Sequence, residues 1–186
     1  MPRIGTTTVM MLLLLGLCSA PSHAEEEAYR LASGDVLEIS VWRDETLSRE
    51  LIVPPDGVIS FPLIGDTKAA GKTVAELRQI ITAEVSDYVP DPSVTVILVR
   101  ATSLVAYVLG KVNKPGVFPI ALDTNVMRVL SMAGGLTPFA SAGNIVILRQ
   151  EEGKSLKLPF DYKEVEKGGK LDQNIALKRG DVVVVP

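Results

Sequence analysis

Cysteine, histidine and tryptophan occur once each in 186 residues, and aromatics make up only 5% of the chain. Cys18 and His23 both fall within the first 24 residues. There Arg3, an apolar run from Val9 to Leu17, and the small residues Ser22 and Ala24 have the form of a secretory leader cut near Ala24. A chain released at that point has neither thiol nor imidazole. That excludes disulfide staples, thiolate nucleophiles, Ser-His-Asp and Cys-His arrangements, and metal sites built on His or Cys. Long hydrophobic runs are missing too: a spanning helix needs roughly 20 apolar residues, and the leader's run is about half that. A lipoprotein signal acylated at Cys18 is the lesser alternative, because Leu17 stands where that signal takes a small residue.

Positive charge is also scarce. The 162 residues after Ala24 hold 18 basic and 22 acidic side chains, a formal charge of −4. Nucleic-acid binding needs a basic stripe to neutralise phosphates, so no nucleic-acid partner is expected. A glycan makes no such demand. No glycine-rich phosphate loop is present, since Gly134-Gly135 follows a helical pattern and does not precede one. The loop holding Glu84, Asp87 and Asp91 lacks the alternate-residue spacing of a calcium loop. Neither a metal nor a cofactor is expected.

What the chain has in quantity is short β-branched runs set between turn signals. Two segments end a loop with Gly-Asp and launch an apolar strand, Gly34-Asp35 before Val36 to Val41 and Gly180-Asp181 before Val182 to Val185. The first of these strands is apolar enough on both sides to lie inside a sheet. Leu51-Ile52-Val53 and Val58 to Leu63, joined by Pro54-Pro55-Asp56-Gly57, are expected to form a hairpin. Thr73 and Glu76 make a capping box for a helix with apolar residues at Val74, Leu77, Ile80, Ile81, Val85 and Tyr88. That helix is expected to end before Pro90 and to be followed by a strand from Ser93 to Val99.

The second half repeats the alternation. Leu104 to Leu109 and Val117 to Ile120 are strands around a tight turn, Asn113-Lys114-Pro115-Gly116. Asp123-Thr124 is expected to cap a helix bearing Val126, Val129, Leu130 and Ala133, which Gly134-Gly135 ends. Ile145 to Leu148 and Leu156 to Leu158 flank a second hairpin, Phe160 to Lys167 is a short helix, and Val182 to Val185 closes the chain. Short strands and one main helix in each half predict an α+β fold of two small domains: a leader over 1–24, then 25–103 and 104–186.

The residues present set limits on catalysis. Asp35, Asp56 and Asp181 stand beside glycines, where a carboxylate accepts hydrogen bonds from turn N–H groups, and that accounts for them without chemistry. Asp161 with Glu164 or Glu166 is the remaining carboxylate set a glycan hydrolase could use, and Ser131 and Ser141 flank helix ends. No catalytic residue is nominated. Lys111, Asn113 and Lys114 are candidate contacts for a neighbouring subunit or a ligand at the turn. Gly34, Asp35, Pro55, Asp56, Gly57, Pro115, Gly116, Gly134, Gly135, Gly180 and Asp181 are assigned to architecture. On that division Lys114→Ala spares folding, whereas Gly135→Val damages it.

The order of these motifs resembles one family. Tyr29 to Leu37, Val53 to Gly57, Phe61 to Gly65 and Gly71 with its capped helix are similar to the polysaccharide export domain. Val108-Leu109-Gly110, Asn113 to Gly116, Ala133 to Leu136 and Lys178 to Val182 are similar to the β-grasp module called SLBB. The chain thus resembles the outer-membrane polysaccharide export proteins, whose better-known members form rings around a periplasmic cavity. The resemblance implies a periplasmic part, associated with the outer membrane, of a machine exporting capsular polysaccharide or exopolysaccharide. It implies a homo-oligomeric ring, an inner-membrane polysaccharide co-polymerase as partner, and no covalent step. Longer members carry a further SLBB module and a C-terminal membrane-crossing helix, whereas this sequence stops at Pro186 after a strand; a separate outer-membrane partner, such as a β-barrel porin, is therefore expected. The alternative is a periplasmic carbohydrate-binding or sensing module with no conduit role.

Overall fold

The computed structural model describes residues 28–151 and 153–186. The expected leader, its cut near Ala24 and Cys18 lie outside the described residues. The first domain opens with β1 (Val36–Val41), β2 (Asp44–Ile52), β3 (Val58–Phe61) and β4 (Gly65–Lys68), continues through α1 (Val74–Val85) and ends with β5 (Val94–Arg100). Its main sheet has the order β2-β1-β5, entirely antiparallel, so β1 is the central strand. Helix α1 lays Leu77, Ile81 and Val85 against the sheet, and these meet Leu37, Ile39, Val96 and Phe61 in one core. The capping box is formed as the sequence predicts: Glu76 N donates to Thr73 Oγ1 at 3.1 Å, and Thr73 N donates to Glu76 Oε2 at 2.7 Å.

The expected hairpin across Pro54-Pro55-Asp56-Gly57 is not formed. β2 pairs with β1 (Leu51 opposite Leu37), while β3 pairs with β4 (Ser60 opposite Asp66). The two prolines have no N–H to give a ladder, and Val53 instead closes the β1 side, donating to Asp35 O and accepting from Gly34 N, both at 2.8 Å. The turn therefore leads from one sheet into another. Asp56 Oδ1 accepts from Val58 N at 3.0 Å, and Gly57, at φ +75°, packs so closely on Ala70 that a Cβ would lie 2.4 Å from that side chain. Strand β4 carries no sequence signal, because in Gly65-Asp66-Thr67-Lys68 only Thr67 points inward.

The second domain contains β6 (Val105–Gly110), β7 (Gly116–Pro119), α2 (Val126–Met132), β8 (Ile145–Glu151), β9 (Lys154–Phe160), α3 (Tyr162–Glu166), a 3-10 turn (Leu171–Gln173) and β10 (Val182–Val185). Its sheet has the order β7-β6-β10-β8-β9. The final strand slots into the middle, parallel to β6 and antiparallel to β8. Val183 and Val185 point into a core with Val108, Ile147, Phe160, Val129 and Leu130. The cap of α2 is Asn125, whose side chain accepts from Arg128 N at 2.9 Å. The expected Asp123-Thr124 cap does other work: Thr124 Oγ1 accepts from Ala121 N, and Asp123 pairs with Arg128. At the other end, Gly135 N donates to Leu130 O and Gly134 N to Ser131 O, the paired bonds that close a helix on a left-handed glycine.

The two sheets differ on their outer faces. In the first domain that face is mixed, with Glu38 opposite both Glu50 and the exposed Ile97, and with Arg100 reaching Glu50 at 3.3 Å. In the second domain it is apolar. Val117, Tyr107, Val182 and Leu148 form one row across four strands, and Leu109, Val184, Val146 and Pro159 form the next. Tyr107, Leu109, Val117 and Leu148 are all exposed.

Candidate functional site at the seam between the domains

Both Gly-Asp segments fold into the same turn. Asp35 N donates to Ala32 O and Asp181 N to Lys178 O, each at 3.1 Å, with the intervening Gly34 and Gly180 at φ +94° and +80°. In each turn the aspartate then takes back the N–H three residues earlier, Ala32 N to Asp35 Oδ2 at 2.9 Å and Lys178 N to Asp181 Oδ2 at 2.8 Å. Both carboxylates are buried. A buried carboxylate needs further partners, and these partners define the site.

Asp181 is held by Arg149 of β8, whose Nη2 lies 2.7 Å from Oδ2 and whose Nε lies 3.0 Å from Oδ1. Arg149 also donates to Ala176 O at 3.0 Å. The pair fixes the 178–181 turn to the sheet and sets the direction of Arg179. Asp35 gathers the seam on the other side. Tyr29 Oη donates to its Oδ2 at 2.5 Å and Ser103 N to its Oδ1 at 3.1 Å, while Tyr29 Oη also meets Ser103 Oγ at 2.9 Å. The connecting stretch 101–103 is thus clipped to the first turn, reinforced by Thr102 Oγ1 donating to Gly34 O.

Tyr29 packs against both hydrophobic cores. Arg179 lies over its ring, 5.3 Å from the centroid, and donates from Nη2 to Arg30 O at 2.8 Å. The two Gly-Asp turns, 146 residues apart in sequence, therefore meet through one tyrosine. Burial works against ionisation of Asp35, but the hydrogen bonds from Tyr29, Ala32 and Ser103 outweigh it and hold the carboxyl below its ordinary value. Burial pushes the Tyr29 phenol up, and its bond to Asp35 adds to the rise. The phenol thus stays a donor and the carboxylate an acceptor. Beside this seam lies a cleft of about 450 Å³ lined by Tyr29, Arg30, Leu104, Leu122, Lys178 and Arg179, among others.

One family model, described as polysaccharide biosynthesis/export protein, matches residues 23–99, and a second, the SLBB domain, matches residues 105–159. The chain belongs to the outer-membrane polysaccharide export family, with one SLBB domain. It is 27% identical to the polysialic acid transport protein KpsD of Escherichia coli, over 84% of this chain and 28% of that protein. It is 30% identical to the EPS I polysaccharide export outer membrane protein EpsA of Ralstonia nicotianae, over 89% of this chain and 49% of that one. The capsule polysaccharide export outer membrane protein CtrA of Neisseria meningitidis is 25% identical over 82% of this chain and 43% of its own length. The chain thus spans about half the length of these relatives or less.

The two family motifs that open their domains' main strands are those whose aspartates organise the seam. The turn candidates lie elsewhere, on the loop after β6. Lys111 N donates to Val185 O at 2.8 Å, while its own carbonyl accepts from Thr137 N at 3.0 Å and its side chain is exposed. Asn113 Nδ2 donates to Gly134 O at 2.7 Å and Asn113 N to Gly135 O at 3.0 Å, so this residue straps the loop to the end of α2. Lys114 donates its backbone N–H to Ala133 O at 2.8 Å and exposes its side chain. Pro115 is exposed and Gly116 opens β7. Pro55 is exposed at the 54–57 turn. A Cβ on Gly135 meets nothing within 4 Å, so substitution there is opposed by its φ of +79° alone. Asp161 caps α3 and pairs with Lys170 at 3.3 Å.

Tyr29 opens a family motif, but the role it shares with Ser103, Arg149 and Arg179 was not reached from sequence. Arg179 sits inside the Lys178 to Val182 motif, where its charge was readable but its direction was not. Arg149 lies 32 residues from the carboxylate it meets, and no local pattern links them. Among the described residues no helix is long and apolar enough to cross a membrane.

Proposed function

We propose that the chain is an envelope component of a polysaccharide export machine, one that assembles with copies of itself into a ring along the glycan's route. The observation that carries this is the two matched domains in series, the second presenting an uncovered apolar sheet face. Contiguous exposed apolar surface of this kind marks a contact with protein, membrane or ligand, and self-assembly uses it as the first of these. The open face suits assembly. The glycan, an inner-membrane co-polymerase and an outer-membrane porin are the partners this role calls for. No step in it makes or breaks a covalent bond.

A strain deleted for the gene tests the reading, with polymer quantified in the medium and in the periplasm. Loss of polymer from the medium, restored by the chain but not by a version without residues 1–24, is the expected outcome. Unchanged secretion with no redundant homologue refutes it. Leu109→Glu, on the open sheet face, is expected to shift the purified protein from assemblies to a folded monomer in light scattering. The seam cleft favours a second reading, a carbohydrate-binding module without conduit role, and a wild-type protein that is monomeric at all concentrations would point there.

A further inference from the structure

We propose that the cleft at the seam binds a carboxylate-bearing sugar residue, with Arg179 receiving the negative charge; this deepens the glycan-export reading and rests on it. The cleft's volume of about 450 Å³ falls within the roughly 300–1,000 Å³ of small-molecule sites. Its walls combine apolar surface from Leu104, Leu122 and Tyr29 with three cations, Arg30, Lys178 and Arg179, and one acid, Asp123. Three of those charges are already matched. Arg30 meets Glu76 at 3.4 Å, Lys178 meets Glu151 at 2.8 Å, and Asp123 meets Arg128 at 2.8 Å.

Arg179 alone has no carboxylate partner among the described residues. Its guanidinium spends one N–H on the Arg30 carbonyl and rests over the Tyr29 ring. A guanidinium has five N–H donors in a fixed fork, and a carbonyl acceptor leaves its charge uncompensated. Tyr29 is itself anchored by Asp35 and Ser103, so the cation is held in position before a ligand arrives. That preorganisation lowers the ordering cost of binding. A planar carboxylate fits the fork with two parallel bonds. A bare anion would leave the leucine and tyrosine walls uncovered, whereas a sugar ring offers C–H surface to those walls and a carboxylate to the arginine.

Titration of the purified chain with trigalacturonic acid, and separately with its fully methyl-esterified form, tests the assignment by NMR. The acid is expected to bind saturably, shifting amide signals around residues 29–30 and 177–179. The ester, which keeps the ring and loses the charge, is expected to bind at least about tenfold more weakly. Arg179→Gln should weaken the acid to the same extent, as should Leu122→Glu, which sets a like charge at the exposed rim; both should remain folded with a single cooperative melting transition, Leu122→Glu at the wild-type midpoint. Equal binding of acid and ester, unaltered binding by Arg179→Gln, or no saturable shift at about 1 mM overturns the proposal. The export reading is judged separately by the deletion strain. Lost secretion together with an Arg179→Gln variant that binds the acid normally would remove this site and leave that reading intact.

Discussion

Two glycines with nearly the same backbone conformation make a controlled comparison. Gly110, where β6 ends, has φ +93°, and Gly135, after α2, has φ +79°. An alanine Cβ at 135 meets nothing within 4 Å, whereas at 110 it would lie 2.0 Å from Val185 O and 2.9 Å from Val185 C. Val185 is the last residue of the central strand, paired with Gly110 itself, and its carbonyl accepts from Lys111 N. Gly135→Ala should therefore cost only the left-handed strain, about 1–2 kcal/mol, less about 0.4–1 kcal/mol regained from a stiffer unfolded chain. Gly110→Ala has the same two contributions, plus about 1–3 kcal/mol for displacing packed backbone and about 0.5–1.5 kcal/mol for the weakened Lys111 bond. Its total is then about 2–6 kcal/mol. Urea unfolding followed by circular dichroism would read the difference as a midpoint shift at unchanged slope. Heating should separate the two by at least about 3 °C. Equal midpoints would refute the close approach of Gly110 to β10, and with it the central placement of the last strand.

The depressed carboxyl of Asp35 contributes stability that is present above its unfolded value of about 3.9 and lost as pH falls through the lower folded value. The Asp35→Asn variant, measured between pH 7 and pH 2, should lose part of the acid-side slope of the wild type; an unchanged slope argues against the seam. Breaking the Arg149–Asp181 pair by Arg149→Met should cost about 3–5 kcal/mol, because it strands a buried carboxylate. Adding Asp181→Asn to that variant should recover part of the loss, and a failure to do so would place the cost elsewhere than in the unpaired charge. Asn113→Ala should cost about 0.5–1.5 kcal/mol through its bond to Gly134 O. Lys114→Ala should stay within about 0.5 kcal/mol of wild type, and a larger loss would show that its side chain is part of the fold.

What the amino-acid sequence determined by itself was whatever is decided within a few residues. The capping box at Thr73 and Glu76, the glycine stop after α2, the β8–β9 hairpin and the Gly-Asp turns are all short-range, and each was legible because one local hydrogen bond or one φ angle settles it. The same holds for the exclusion of imidazole and thiol chemistry from a chain cut near Ala24. Partnership between distant strands belonged to the tertiary structure. Val182 to Val185 read as a closing strand, yet its place between β6 and β8 follows from Val183 filling the core between Val108 and Ile147. The 54–57 turn read as a hairpin, yet Val53 found its partners at Gly34 and Asp35 because two prolines leave no ladder to form. The seam lies furthest from the reach of sequence. Asp35 and Asp181 were recognised as turn residues, but their burial, and hence their need for Tyr29, Ser103 and Arg149, arises only in the folded chain. A buried charge takes its partners from whatever the fold brings within about 3 Å, and no spacing along the chain encodes that distance.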